Sequence, residues 1–365
     1  MYNLIMSLES ISKIKNLAKP VLITGHTGFK GTWLTLLLES QGIEVVGISL
    51  EPDQSSLYTK LNRRGKIFEK FFSICDLEEL KTNILQVNPG VVFHLAAQSL
   101  VLESFRDPIT TFKTNIIGTA NLLESINYLS DKTTVVSITS DKVYENLNKP
   151  HKFTEDAKLK GKDPYSASKV GAESVIFAWK NMWDMRMSHK ICSARAGNVV
   201  GGGDMSKDRL IPDLVRSITS KNKVQIRNPS SRRPWQHVLD PLVGYMYSAN
   251  ALLEGKSFES INFGPAEKSL TVSEVLTIAI EEFQNKFEFE IEDKGNEKLD
   301  LESNFLDLDS RFANNELSWY PKWNQKEAIS RTCSWWNSVL SSQLSPAEAC
   351  EKDISDLLKN NCKAV

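Results

Sequence analysis

The chain has 365 residues, 44 Lys+Arg against 45 Asp+Glu for a formal net charge of −1, and 41% hydrophobic and 24% charged residues. That balance excludes a disordered chain and supplies no basic excess for nucleic acid or an anionic membrane. Five scattered cysteines (Cys75, Cys192, Cys333, Cys350, Cys362) without CxxC spacing, and no apolar run of about 18 residues, lead to the expectation of a reduced, cytoplasmic protein without a membrane span.

Ile5, Leu8, Ile11, Ile14 and Leu17 recur at helical spacing and predict an amphipathic leader over 1–19 that packs on the body. From Pro20, short apolar runs alternate with helix-period segments. Val21-Leu22-Ile23 reads as a buried strand, 29–41 as a helix with Trp33, Leu34, Leu37 and Leu38 on one face, and 44–49 as a second strand. Strands over 71–74, 91–95, 134–139 and 191–194 come next, with a helix over 111–128 and another after Pro164. Strands that are apolar throughout are covered on both faces, so the pattern predicts an α/β fold. It takes the form of a Rossmann-type, doubly wound parallel sheet over 20–198, with contributions from later segments. Past Asn198 the regularity breaks at Gly201-Gly202-Gly203, and Pro212, Pro229, Pro234 and Pro241 punctuate the chain beyond it. This region is expected to form a smaller, loop-rich substrate-binding lobe over 199–343, laid on the carboxyl edge of the sheet. Trp319, Trp323, Trp335 and Trp336 are expected to pack inside it; 288–304 reads as an exposed acidic excursion and 344–365 as a helical tail.

Directly after the first strand stands Thr24-Gly25-His26-Thr27-Gly28-Phe29-Lys30-Gly31, a GxxGxxG spacing that runs into a helix. One glycine lets the strand turn, another lets a pyrophosphate approach the backbone, and a third lets helix pack on strand. The residues from Gly25 to Gly31 are therefore candidates to bind a dinucleotide. Lys30 opposes the helix dipole, which makes sense if an anion sits there. Glu51, about 20 residues past the loop, is placed to hold ribose hydroxyls, which favours NAD over NADP because Arg63 and Arg64 lie well downstream. Asp76, followed by Leu77, could bond the adenine amine or cap the helix that begins near Glu78. The five histidines show no ligand spacing, and no metal site is expected.

Asp163-Pro164-Tyr165-Ser166-Ala167-Ser168-Lys169 opens a helix, with Asp163 as N-cap and Pro164 at its first position. Tyr165 and Lys169 then share one face, and an ammonium beside a phenol favours phenolate, making Tyr165 a usable base.

With these motifs and His94-Leu95-Ala96-Ala97-Gln98, the chain resembles the extended short-chain dehydrogenase/reductase superfamily. Thr139-Ser140-Asp141-Lys142-Val143-Tyr144 looks like the strand-end motif of its nucleotide-sugar 4,6-dehydratases. The segments 195–204, 208–213 and 233–238 are similar to the CDP-glucose branch in particular. The resemblance covers Pro20 to about Trp336. It implies an enzyme that uses NAD to oxidise a sugar nucleotide, CDP-glucose by this branch, at C4, to eliminate water across C5 and C6, and to return the hydride to C6. Tyr165 with Lys169 would be the base for the C4 hydroxyl, Ser140 would bond the same hydroxyl, and Asp141, its pKa raised by burial, would protonate the leaving C6 hydroxyl. Lys142 stands where many relatives carry a glutamate; it would take the C5 proton or clamp the developing enolate electrostatically.

Leu95, Ala96, Ala97, Gln98, Thr114 and Thr139 would line the cofactor. Asn198, Arg209, Leu210 and Arg233 would hold pyrophosphate and nucleotide, with Arg227 and Asn228 around the base. Lys30, Arg195, Arg209 and Arg233 are expected to converge on the phosphates. Relatives carry a His-Glu pair before the Leu-Asp segment near 308–309, where Leu301-Glu302 stands here. The resemblance also implies a homodimer paired through the helices after the fourth and fifth strands.

Overall fold

The computed structural model describes residues 11–226, 228–284, 286–291 and 305–359. Seven strands form one parallel sheet: β1 (Val21–Thr24), β2 (Val45–Ser49), β3 (Phe68–Phe71), β4 (Val91–His94), β5 (Thr134–Ile138), β6 (Lys190–Ala196) and β7 (Ser260–Phe263). Their spatial order is β7-β6-β5-β4-β1-β2-β3, with Val21 in register with both Val45 and Val91. The order reverses between β1 and β4, where open α/β sheets leave a crevice at their carboxyl ends.

Five helices cover the two faces of this sheet: α1 (Phe29–Ser40), α2 (Leu77–Val87), α3 (Gly118–Asn127), α4 (Pro164–Arg186) and α5 (Leu239–Leu253). β1, β4 and β5 are buried along their whole length, as continuous apolar runs require. On one face Leu22, Val92 and Val135 pack with Leu80 of α2, Leu122 and Ile126 of α3 and Trp183 of α4. On the other, Ile23, Phe93 and Val136 pack with Trp33 of α1 and Leu242 and Met246 of α5. That second cluster runs on through Trp319, Trp323, Trp335 and Trp336. The carboxyl-terminal segments thus share a core with the sheet, and β7, which comes before them in the chain, completes its edge beside β6.

Three local readings shift. The third strand lies at Phe68–Phe71 instead of 71–74, because the half-exposed Phe-Glu-Lys-Phe alternation suits an edge strand and frees Phe72 to Ile74 as a loop. The helix expected over 111–128 is three pieces, Pro108–Phe112, a π-turn at Lys113–Ile117, and α3. The leader, where described, is one short turn (Ser12–Lys15), yet Ile11 and Ile14 are fully buried and the Lys13 N–H donates to Asn250 Oδ1 of α5 at 2.8 Å. The tail forms a helix over Pro346–Leu358, started by a Ser345/Glu348 capping box. Arg227, Leu301-Glu302 and most of the 288–304 excursion lie outside the described residues. Among the described residues no helix is long and apolar enough to cross a membrane.

Candidate active site

A cavity of about 900 Å³ opens at the carboxyl edge, between the glycine loop and the residues that come after β5 and β6. The loop is built for close approach. Gly25 sits at φ +80°, and a Cβ there would lie 2.7 Å from the Ala96 nitrogen; at Gly31 it would lie 2.1 Å from the Gly25 carbonyl oxygen. Side chains at these positions would part β1, β4 and α1, so the glycines leave backbone N–H groups at the start of α1 open to the cavity. Leu95, Ala96, Ala97, Thr114 and Thr139 line the same cavity, as do Thr27, Gly28 and Phe29. This cradle fits a dinucleotide pyrophosphate.

The catalytic candidates come together on one wall. Asp163 caps α4 through the Ser166 N–H, with Pro164 in the first turn, and this fixes where Tyr165 leaves the helix. The buried Tyr165 phenol lies near the Ser140 side chain. Lys169, one turn on, donates to the Ile138 carbonyl at 3.2 Å. Burial lowers the Lys169 pKa to about 8, opposed by Glu173. Burial also pushes the Tyr165 phenol up to about 12, opposed by Ser140. This corrects the expectation of a lowered phenol: at this site desolvation outweighs any benefit from the lysine.

Asp141 is 2% exposed; its Oδ1 accepts from Ser140 Oγ at 3.1 Å, and its Oδ2 has no hydrogen-bond partner among the described residues. Burial raises its pKa, against Lys142, Ser140, Arg233 and Lys30. Such a carboxyl is a proton donor in waiting. Lys142 lines the cavity beside it. Lys30 reaches across from α1 and donates to the Tyr245 hydroxyl at 3.2 Å. Burial lowers its pKa to about 7, helped by Arg209 and opposed by Asp141. Tyr245, on α5, carries no local sequence signal; its partner is more than 200 positions away.

From the segments after β6, Asn198, Arg209, Leu210, Asn228 and Arg233 line the cavity, and Arg209 also pairs with Asp204 at 3.2 Å. Six predicted positions fall elsewhere. Arg195 is buried beneath the wall in a bidentate pair with Glu173 and does not line the cavity with Lys30, Arg209 and Arg233. The His26 ring turns into the sheet, over Gly47, and bonds Glu69 at 2.9 Å. Glu51 is exposed and ion-paired with Arg64, the arginine that sequence distance had set aside. The cavity lining beside it comes from Ser49 and Leu50 instead. Asp76 accepts from the Glu79 N–H as the N-cap of α2 and Leu77 is the first residue of that helix, both outside the cavity lining, so the capping alternative is the one realised. Gln98 ties Leu100 and Thr111 together outside the lining.

The family model described as GDP-mannose 4,6 dehydratase matches residues 22–332. A CDP-glucose 4,6-dehydratase of Salmonella typhimurium is 40% identical over 326 residues, 87% of this chain and 90% of that protein. The dTDP-glucose 4,6-dehydratase 1 of Escherichia coli is 26% identical, over 87% of this chain and 92% of its own length. Among solved structures, a UDP-glucose-4-epimerase from Stenotrophomonas maltophila with bound NAD superposes with a TM-score of 0.76 at 20% identity, over 89% of this chain and all of that one. A dTDP-glucose 4,6-dehydratase from Bacillus anthracis in complex with NAD gives 0.72 at 22%, over 88% and 97%. The two structures share the doubly wound sheet. The family match spans both that sheet and the segments that close the cavity, and the chain belongs to the GDP-mannose 4,6 dehydratase family.

Proposed function

We propose that the protein is an NAD-dependent hydro-lyase that converts CDP-glucose to CDP-4-keto-6-deoxyglucose in the cytoplasm, for deoxysugar and surface-polysaccharide synthesis. The observation that carries this is the single wall holding a phenol, a hydroxyl and a buried carboxyl, one oxygen of which has no partner among the described residues. An epimerase needs the first two; a dehydratase also needs the third, because its hydroxide must leave as water. NAD, when bound, takes the hydride from C4 and supplies it to C6.

The chain's own groups do the proton work. Ser140 and Tyr165 bond the C4 hydroxyl, and Tyr165 accepts its proton as the hydride leaves. Lys169 orients the base and offsets its negative charge. The new carbonyl acidifies C5; we assign its proton to Lys142, which returns it to C5 as the hydride enters C6. Asp141, whose pKa burial raises, gives its proton to the departing C6 oxygen. Lys30, Arg209 and Arg233 supply cationic groups for diphosphate, Asn198 and Asn228 complete the nucleotide side, and the sheet body with its covering lobe closes the site against water. The 40% identical dehydratase supports the cytidine assignment. Exposed Phe105, Ile109, Ile117 and Phe177, on the helices after β4 and β5, suit pairing of two copies, which sedimentation should report as a dimer.

The test is a panel of CDP-, dTDP-, GDP- and UDP-glucose with NAD, scored for the alkali-absorbing 4-keto-6-deoxy product. CDP-glucose should be turned over at least about 100-fold more efficiently than the others. Preference for another base would overturn the nucleotide assignment, and no keto product from any of them would overturn the chemistry.

A further inference from the structure

Beneath the catalytic wall lies a carboxylate that none of these steps uses. Glu173, buried on α4, comes one helical turn after Lys169. Its Oε1 accepts from the Thr139 hydroxyl at 2.5 Å and from Arg195 Nε at 2.9 Å. Its Oε2 accepts from Ser193 Oγ and Arg195 Nη2, both at 2.8 Å. Arg195 continues the chain, donating to the Tyr144 hydroxyl and the Glu155 carbonyl at 2.9 Å. Burial would push Glu173 up, but the Arg195 hydrogen bond and charge, with Thr139 and Ser193, hold its pKa below the ordinary value, so it is ionised.

Arg195 and Ser193 already satisfy three acceptor sites and tie α4 to β6. The Thr139 bond adds a link to a different strand, at the residue directly before Ser140. It joins the end of β5, with Ser140 and Asp141, to the helix that carries Tyr165 and Lys169. The other titratable groups that face Lys169 are Lys30, from α1, and His94, from β4. The Lys30 ammonium opposes that of Lys169, and Glu173 is the acid that favours it.

We propose that Glu173 is a positioning residue for the hydride-transfer step: through Thr139 it fixes Ser140 opposite the Tyr165 phenol, and its charge keeps the Lys169 ammonium beside that phenol. The step rests on the functional reading above; the placement rests on geometry alone.

Variants of the full-length enzyme separate the two jobs. Glu173→Gln keeps an accepting oxygen and removes the charge, Glu173→Asp keeps the charge, and Thr139→Val removes the tether. Hydride transfer is tracked in single turnovers by the absorbance of reduced cofactor across pH. In Glu173→Gln the alkaline limb, where Lys169 loses its proton, should move down by about one unit or more, and Glu173→Asp should restore its position. Thr139→Val should lower kcat roughly 10- to 100-fold with KM nearly unchanged and the limb in place, and Thr139→Ser should recover most of the loss.

A fall in rate uniform across pH in Glu173→Gln, or equal losses in Thr139→Val and Thr139→Ser, would overturn the proposal. If Glu173→Gln does not fold, because Arg195 has lost its partner, the valine and serine variants decide. A readout without turnover is the ¹⁵Nζ signal of Lys169, assigned by its loss in Lys169→Met. Its titration midpoint should be lower in Glu173→Gln than in the unaltered protein. Equal midpoints would overturn the charge role whatever the enzyme turns over. A shifted midpoint in a protein that acts on no nucleotide sugar would refute the functional reading and leave the placement standing.

Discussion

Two polar layers lie one behind the other at the carboxyl edge of the sheet, and they differ in how well they are satisfied. In the rear layer Glu173 accepts four hydrogen bonds and Arg195 spends its guanidinium on Glu173, Tyr144 and Glu155. In the front layer Asp141 Oδ2 has no partner among the described residues, Lys30 donates to one phenol, and burial moves Tyr165, Lys169, Lys30 and Asp141 toward their neutral forms. A satisfied buried network holds chain segments together, whereas unsatisfied buried groups are costly to keep and mark where a ligand acts.

If the layers divide the labour in this way, front-layer mutations should cost activity and spare stability, whereas rear-layer mutations should cost stability besides any rate lost through the Thr139 tether. The largest effect is expected from Tyr165→Phe, with turnover down by roughly 10³- to 10⁴-fold and a melting temperature within a degree or two of the parent. A destabilised but active variant would erase the distinction. Arg195→Ala should have its main effect on stability, costing about 3–5 kcal/mol in denaturant unfolding because the Glu173 charge is left buried without its guanidinium. Asp141→Asn should stall elimination by roughly 10²-fold, with reduced cofactor accumulating in single turnovers and no loss of stability, since a neutral amide replaces a carboxyl that burial already disfavours as an anion.

Lys30 sharpens the comparison through pH. It titrates near 7 in the folded chain and at 10.5 in its ordinary state, so between these values the unfolded chain binds more protons and stability rises with pH. Lys30→Met should flatten that rise in urea midpoints measured from pH 7 to 10, leaving the smaller contribution of Lys169 between about 8 and 10.5. The smallest effect is expected at the exposed Glu51–Arg64 pair, where Glu51→Gln should change stability by less than about 1 kcal/mol.

Legibility in the sequence divides along a similar line. Local devices were legible: the glycine spacing, the Asp163-Pro164 start of α4, and the four-residue step from Tyr165 to Lys169 each act within a turn or two of chain. Partners set by tertiary packing were not. Arg195 reads as one more phosphate ligand until Glu173 is seen 22 positions away. Asp76 had two readings, and its neighbour Glu79 selected the cap. Arg64 lies 13 positions from Glu51 along the chain and in contact with it in space. Lys30 sits in a recognisable loop, but its direction depends on Tyr245, and no spacing rule links residues separated by 215 positions. The π-turn at Lys113–Ile117 was hidden by its neighbours, which carry ordinary helical periodicity.

The place of β7 has a consequence for synthesis. β6 ends at Ala196, but the strand that covers its free edge finishes only at Phe263. At about 5–20 residues per second, the ribosome would leave the β6 backbone edge open for several seconds while the intervening lobe is made. During that interval the nascent chain carries an apolar strand with unpaired N–H and C=O groups, a template for pairing with a neighbouring copy. A gene truncated after β6 should therefore yield aggregates, because β7, the strand that pairs with the open edge, is missing.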